Sequence, residues 1–259
     1  DSNLNAIAIF GKSTIRLTGK LALNSAPTQI DLPLVTPAES FIGAFRQSLN
    51  RSGITVGSTR LVFGQNITNM SEIAAINSPT IGELINETNQ QSNNIYAEVL
   101  LRSIGRTHPE NYTSNQDTSN LGIALVKQRL TEIGVDPQAY RLSDGSGLSR
   151  HNLVAPTTFI RVLSAMATTP VGQIYRDSLP IAGFSGSLKN RMNGTLAQGI
   201  VRAKTGSMSG VVSLSGYIYP SKYSPLVFSI ILNQHDRPTS QMVKVVDEIM
   251  VLLARLKQC

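Results

Sequence analysis

In the stretch STIRLTGKLAL, Ile15, Leu17, Leu21 and Leu23 alternate with polar positions, and Gly19 takes one of the alternating places. That period of two predicts half-buried strands in the first 35 residues. From Thr36 the pattern becomes helical. Phe41, Ala44, Phe45 and Leu49 of PAESFIGAFRQSLNRSG fall on one stripe, and Gly53 provides a C-terminal stop. An irregular polar stretch from about Gly57 to Pro79 then places a boundary near residue 72. The pattern thus predicts a smaller β-rich unit over residues 1–72 and a second unit over 73–259.

The second unit opens with helices. Thr80 is placed to cap IGELINETNQ, where Ile81, Leu84, Ile85 and Thr88 share a side. Further helices are predicted in NIYAEVLLRSIG, in NLGIALVKQRLTEIG up to Gly134, and in APTTFIRVLSAMAT from Pro156. After a loop rich in Gly, Ser and Asn, the runs IVRAKTG, VVSLSGYIY and PLVFSIIL predict three consecutive antiparallel strands. The chain closes on TSQMVKVVDEIMVLLARLK. There Met242, Val245, Val246, Ile249, Leu253 and Leu256 form a stripe suited to packing on that sheet. A sheet flanked by helices is an α+β architecture.

Composition narrows the classes. The 259 residues are 41% hydrophobic, enough for one sizeable core. Only 15% are charged, so a neutral polar surface of the extracytoplasmic kind is expected. The net charge of +7 admits an anionic partner. However, Arg46, Arg51, Arg60, Lys127, Arg129, Lys189 and Arg191 are scattered singly, so no nucleic-acid partner is expected. The one cysteine, Cys259, is terminal and excludes CxxC motifs and internal disulfides. His108, His151 and His235 lie far apart, without ligand spacing, and no metal site is expected. No apolar run approaches the roughly 20 residues of a membrane span, and DSNLNAIAIF lacks the pattern of a signal peptide.

Chemistry concentrates in three segments. Lys204-Thr205-Gly206 ends a predicted strand and is followed by Ser207-Met208-Ser209-Gly210. Alone it is a strand end with a glycine turn. As a site it offers an edge strand to a peptide, a lysine and a threonine hydroxyl to a carboxylate, and a glycine for close approach. Ser92-Asn93-Asn94 lies upstream between two helices and by itself reads as a polar turn. Ser-x-Asn followed by Lys-Thr-Gly, however, is the second and third element of the serine penicillin-recognising set, whose first is Ser-x-x-Lys. The third segment, Asp144 to Asn152 (DGSGLSRHN), has the residues of a tight functional loop but not the GxSxG of a nucleophile elbow.

The segments PAESFIGAFRQSLNRSGITV, TNQQSNNIYAEVLLR, SDGSGLSRHNLVAP and LPIAGFSGSLKNRMNGTLAQGIVRAKTGSMSGV occur in this order. On them the chain resembles the class C low-molecular-mass penicillin-binding proteins, the D-alanyl-D-alanine carboxypeptidase/endopeptidase family, over essentially its whole length. The resemblance implies a penicillin-binding/β-lactamase-like transpeptidase domain over 73–259, incomplete at its N-terminal side. Residues 1–72 then correspond to the C-terminal part of an inserted β-rich accessory domain. It also implies an extracytoplasmic, serine-type enzyme without metal or organic cofactor. That enzyme acts through an acyl-enzyme on peptidoglycan stem peptides ending in D-Ala-D-Ala, or on the D-Ala to diaminopimelate cross-link, and the complete protein binds β-lactams.

By the same resemblance, Ser92 shuttles a proton toward the leaving amine and Asn94 binds the substrate amide. Lys204 supports proton transfer and carboxylate binding, and Thr205 binds the terminal carboxylate. Gly206 permits close approach, the Ser207 N–H is one oxyanion donor, and Met208 and Leu148 line the side-chain pocket. One departure is large: no lysine has a serine three residues before it, Lys189 having Ser187 two before and Ser185 four before. In the family the Ser-x-x-Lys helix lies near the mature N-terminus. The expectation is therefore that the chain begins after the nucleophile, that its own N-terminal segment is a partner, and that alone it does not turn over substrate. Two alternatives remain: a non-catalytic peptidoglycan or peptide-binding module, and a structural domain in which the motifs do not converge.

Overall fold

A computed structural model describes residues 3–9, 14–30, 32, 34, 36–62, 71–72, 74–107 and 117–258; His108 and Cys259 lie outside them. The chain divides into two units, Asp1–Glu72 and Ile73–Cys259.

In the first unit the alternating stretch forms an antiparallel hairpin of β1 (Asn3–Ala8) and β2 (Ile15–Lys20), in a register that sets Ala6 opposite Leu17. The helical stripe forms α1 (Pro37–Arg51), with proline in its first turn and Phe41 stacked on Phe45, centroids 6.1 Å apart. The expectation of half-buried strands fits β1, where exposed and half-buried residues alternate, and is corrected for β2. Every residue of β2 is exposed, and no described residue of this unit is buried. Leu17 is 64% and Phe41 70% exposed. Alternation records which face a strand offers to a core, and no described residue of this unit buries that face of β2.

The second unit is anchored by well-formed caps. In α2 (Ile81–Gln90), Thr80 accepts from the Glu83 N–H at 3.3 Å while Glu83 accepts from the Thr80 N–H at 2.8 Å, a reciprocal capping box. Asn93 caps α3 (Asn94–Arg106) by accepting from the Tyr96 N–H at 3.2 Å. Asp117 caps α4 (Thr118–Glu132) and accepts from Arg102 of α3 at 2.8 Å. The two helices cross closely at Gly105 and Gly122. A β-carbon on Gly122 would strike the Leu101 carbonyl, and one on Gly105 would lie 2.9 Å from the Gly122 nitrogen.

A two-residue ladder of β3 (Tyr140–Arg141) and β4 (Leu153–Val154) closes the loop between them. Next come α5 (Pro156–Ala167) and a short helix, α6 (Gly172–Ser178), that the periodicity does not predict. The predicted strands form an antiparallel sheet, β5 (Val201–Met208), β6 (Val211–Ile218) and β7 (Leu226–Asn233), in that spatial order. On one face Val201, Ala203, Val212, Leu214, Ile218 and Phe228 pack with Val246 and Met250 of α7 (Thr239–Leu253). The buried line of α7 is Val246, Met250 and Ala254, while the predicted Val245 is 40% exposed. On the other face Tyr217 packs with Leu163 and Leu179 and donates to the Leu163 carbonyl at 2.7 Å. Burial pushes this phenol up to about 12.

Residues 180–182 line the first half of the outer edge of β5, through Ala182 N–H to Val201 O and Ala203 N–H to Pro180 O, both 3.0 Å. The rest of that edge, from Lys204 to Met208, has no strand beside it among the described residues. Because backbone groups alternate along a strand, the N–H groups of Thr205 and Ser207 face the same outer side as that of Ala203, on the half of the edge that no strand lines among the described residues.

Candidate active site

The short turn between α2 and α3 is what places the first polar group. Ser92 holds φ at +52°, a left-handed conformation that costs a non-glycine residue about 1–2 kcal/mol. The turn is closed by Asn93 N–H to Thr88 O at 3.1 Å, which lets Asn93 become the cap of α3. The end of α2 is fixed from below, where Asn89 and Gln90 donate to Ser178 Oγ at 2.8 Å and to its carbonyl at 3.1 Å. Ser178 itself is buried.

From the opposite wall comes Lys204. Its Nζ donates to Ser92 Oγ, joining residues 112 positions apart, and to the Thr205 carbonyl at 2.9 Å. An ammonium has three donors, so one remains for a ligand. Burial holds this lysine below its ordinary range, because desolvation disfavours the charged form. Thr205 Oγ1 donates to Ser187 Oγ at 2.8 Å. Gly206 lies on the same sheet face as Lys204, and a β-carbon there would strike Ser213 Oγ of β6. Ser207 is exposed and Met208 half-buried at the end of β5.

The loop from Asp144 to Asn152 is built on its own carboxylate. Asp144 accepts from the Gly147 N–H at 2.7 Å, the Ser149 N–H at 2.6 Å and Asn152 Nδ2 at 2.8 Å. Glu98 of α3 accepts from the Gly145 and Ser146 N–H groups at 3.1 and 3.0 Å, and Arg150 donates to the Ser209 carbonyl of the β5–β6 turn at 3.0 Å. The N-terminal part of α3, this loop and the β5–β6 hairpin are thereby tied together.

Of the residues singled out from the sequence, the structure joins Ser92 to Lys204 directly and sets Asn94 two residues on, exposed, as the first residue of α3. Thr205, Gly206, Ser207 and Met208 lie along the open edge of β5. Leu148 is exposed on the loop, which Arg150 ties to that hairpin. Ser187 and Glu98 were not anticipated, and Arg150 was included in the DGSGLSRHN loop without a role of its own. Ser187 lies in the Gly- and Ser-rich segment before β5, but its hydrogen bond to Thr205 is a tertiary contact without sequence periodicity. Among the described residues no group of three or more His, Cys, Asp or Glu could hold a metal ion, and no helix is long and apolar enough to cross a membrane.

This arrangement of antiparallel sheet, flanking helices and cleft is the penicillin-binding/β-lactamase-like fold. It is similar to that of penicillin binding protein 4 (dacB) from Haemophilus influenzae. The TM-score is 0.80 at 24% identity, covering 98% of this chain and 57% of that one. A class A β-lactamase from Bacteroides cellulosilyticus matches with a TM-score of 0.51 at 16% identity, over 66% of this chain and 61% of the other. The chain belongs to the D-Ala-D-Ala carboxypeptidase 3 (S13) family, whose sequence profile matches residues 2–256. It is 37% identical over 251 residues to a D-alanyl-D-alanine carboxypeptidase of Actinomadura sp. (strain R39), covering 94% of this chain and 45% of that protein. It is 34% identical over 263 residues to the penicillin-sensitive carboxypeptidase A of Dictyostelium discoideum, covering 98% and 49%. The chain thus spans about half the length of these curated relatives.

Proposed function

We propose that the chain provides two walls of the cleft of an extracytoplasmic serine-type D-Ala-D-Ala carboxypeptidase or endopeptidase. This enzyme acts on peptidoglycan stem peptides through an acyl-enzyme and binds β-lactams. The observation that carries this reading is the hydrogen bond between Lys204 and Ser92, which brings the Lys-Thr-Gly strand to the Ser-x-Asn turn. The names of the relatives in Actinomadura and Dictyostelium support the substrate class. So does the β-lactam complex of the Haemophilus protein.

In this reading the peptide lies along the open edge of β5, adding to the sheet. Its terminal carboxylate meets Thr205 and the third Lys204 donor, and its amide meets Asn94. Its scissile carbonyl accepts from the Ser207 N–H, a donor fixed before the reaction begins. Gly206 keeps the strand surface low, and Met208 and Leu148 line the side-chain pocket. Ser92 passes a proton to the leaving amine and is reprotonated from Lys204, whose lowered proton affinity eases that transfer.

The 259 residues contain no Ser-x-x-Lys, so the nucleophile and its base come from a segment outside them, and the chain alone is inactive. Residues 1–72 are read as the C-terminal part of a β-rich accessory domain, a reading supported by the exposed apolar side chains of Leu17, Phe41 and Phe45. Fluorescent penicillin provides the test. The protein carrying both the Ser-x-x-Lys segment and these residues is expected to be labelled covalently, and the 259 residues alone are not. No label on the former would remove the enzymatic reading. The absence of Ser-x-x-Lys also favours a second reading, a non-catalytic peptidoglycan or peptide-binding module on the same cleft. Peptide binding by a full-length product that never labels would select it.

A further inference from the structure

Ser187 has no part in the reading above, yet its side chain meets the cleft. It sits in a single 3-10 turn, Gly186–Leu188, between α6 and β5. That turn is held from both ends. Leu188 is completely buried, and its carbonyl accepts from the Gly183 N–H at 3.0 Å. Ser185 Oγ accepts from the Ile181 N–H at 3.1 Å. Gly186 has φ +53° and lies so close to α2 that a β-carbon there would be 2.6 Å from Gln90 Oε1. Gln90 is in turn bonded to Ser178. Ser187 is therefore the exposed middle residue of a clamped turn, with its hydroxyl fixed 2.8 Å from Thr205 Oγ1.

Hydrogen-bond bookkeeping gives the pair a function. Each hydroxyl has one proton and two acceptor sites. With Thr205 donating to Ser187, the proton of Ser187 is the one left over for an incoming group. An anion beside Thr205 thus meets a free O–H from Ser187. If the mutual bond opens, it meets both protons.

We propose that Ser187 is a second carboxylate-binding hydroxyl, acting with Thr205 on the C-terminal carboxylate of the bound peptide. The inference rests on the substrate reading above. It adds a specificity-determining residue from a different segment, one that favours a free carboxylate over an amide. Substituting Thr205 alone then leaves part of the carboxylate preference in place.

The test is calorimetric titration of the 259-residue chain with a peptide ending in D-Ala-D-Ala and with the same peptide as its C-terminal amide. Wild type is expected to prefer the carboxylate form. Loss of one charge-assisted hydrogen bond predicts that Ser187→Ala weakens carboxylate binding about tenfold. Amide binding and the melting temperature should be unchanged, and Ser187→Thr should restore the preference. Equal weakening of both peptides by Ser187→Ala marks a merely structural role and overturns the proposal. So does a carboxylate preference that Ser187→Ala leaves intact, with the substrate reading still standing. A wild type that binds the two peptides equally well overturns the substrate reading, and this inference falls with it.

Discussion

Glu98 is the residue on which the loop from Asp144 to Asn152 depends for its attachment to α3. Its Oε1 accepts two backbone N–H groups, from Gly145 at 3.1 Å and Ser146 at 3.0 Å. Glu98→Ala removes both acceptors. A hydrogen bond to a charged group contributes about 1.5–3 kcal/mol, but the exposed Gly145 N–H recovers much of its share from water, which puts the net loss near 2 kcal/mol. In a unit of this size each kcal/mol moves the melting temperature by about 2–4 °C, so a fall of about 4–8 °C is expected. Glu98→Gln keeps an oxygen in the same place without the charge, and should lose about half as much. The assay is thermal unfolding by circular dichroism, with hydrogen exchange read at the two amides. Exchange at Ser146 should accelerate more than at Gly145, because it is the better shielded of the two. If both variants melt within 1 °C of wild type, or if Gln is as damaging as Ala, the carboxylate is not what holds the loop.

The remaining predictions concern packing and charge. Gly122→Ala forces a β-carbon into the Leu101 carbonyl, where backbone cannot yield cheaply. A loss of about 3 kcal/mol is expected in denaturant unfolding, and a loss below about 0.5 kcal/mol would mean that α3 and α4 are not in such close contact. Lys204→Met removes a desolvated ammonium. Because the folded state binds that proton less tightly than the unfolded chain, wild-type stability should rise as pH climbs from neutrality toward the ordinary lysine value of about 10.4. The variant should show no such rise and should be at least as stable as wild type at pH 7. Urea melts across that range give the answer, and parallel curves for the two proteins would contradict the assignment.

Much of the second unit was legible because its elements obey simple periods. The Thr80 cap, the helices through Leu84, Val99 and Leu163, and the three strands from Val201 to Asn233 all follow from apolar spacing and flanking caps. The seven residues of α6 were not, since GQIYRDS is too short to display a stripe and begins at a glycine buried against the Met166 carbonyl. In α7 the packing surface runs through Met250, which the predicted stripe omits, and leaves the predicted Val245 exposed. In the first unit the alternation of Ile15 and Leu17 was read correctly as a strand but wrongly as half-buried.

The site divides the same way. Lys204, Thr205 and the Ser92 turn were legible because motif order carries chemistry. The contacts of Glu98 with the loop, of Arg150 with Ser209 and of Ser187 with Thr205 join segments with no shared pattern. Only the folded chain brings them together.

The most direct test of the central claim is the map of amide chemical-shift changes when a D-Ala-D-Ala-terminated peptide is titrated into this chain. The account predicts changes concentrated at Ser92, Asn94 and the open half of β5 from Lys204 to Met208, with Ser187 and the loop around Leu148 at the margin. Changes centred instead on the cavity lined by Arg176, Arg202 and Tyr219 would contradict it.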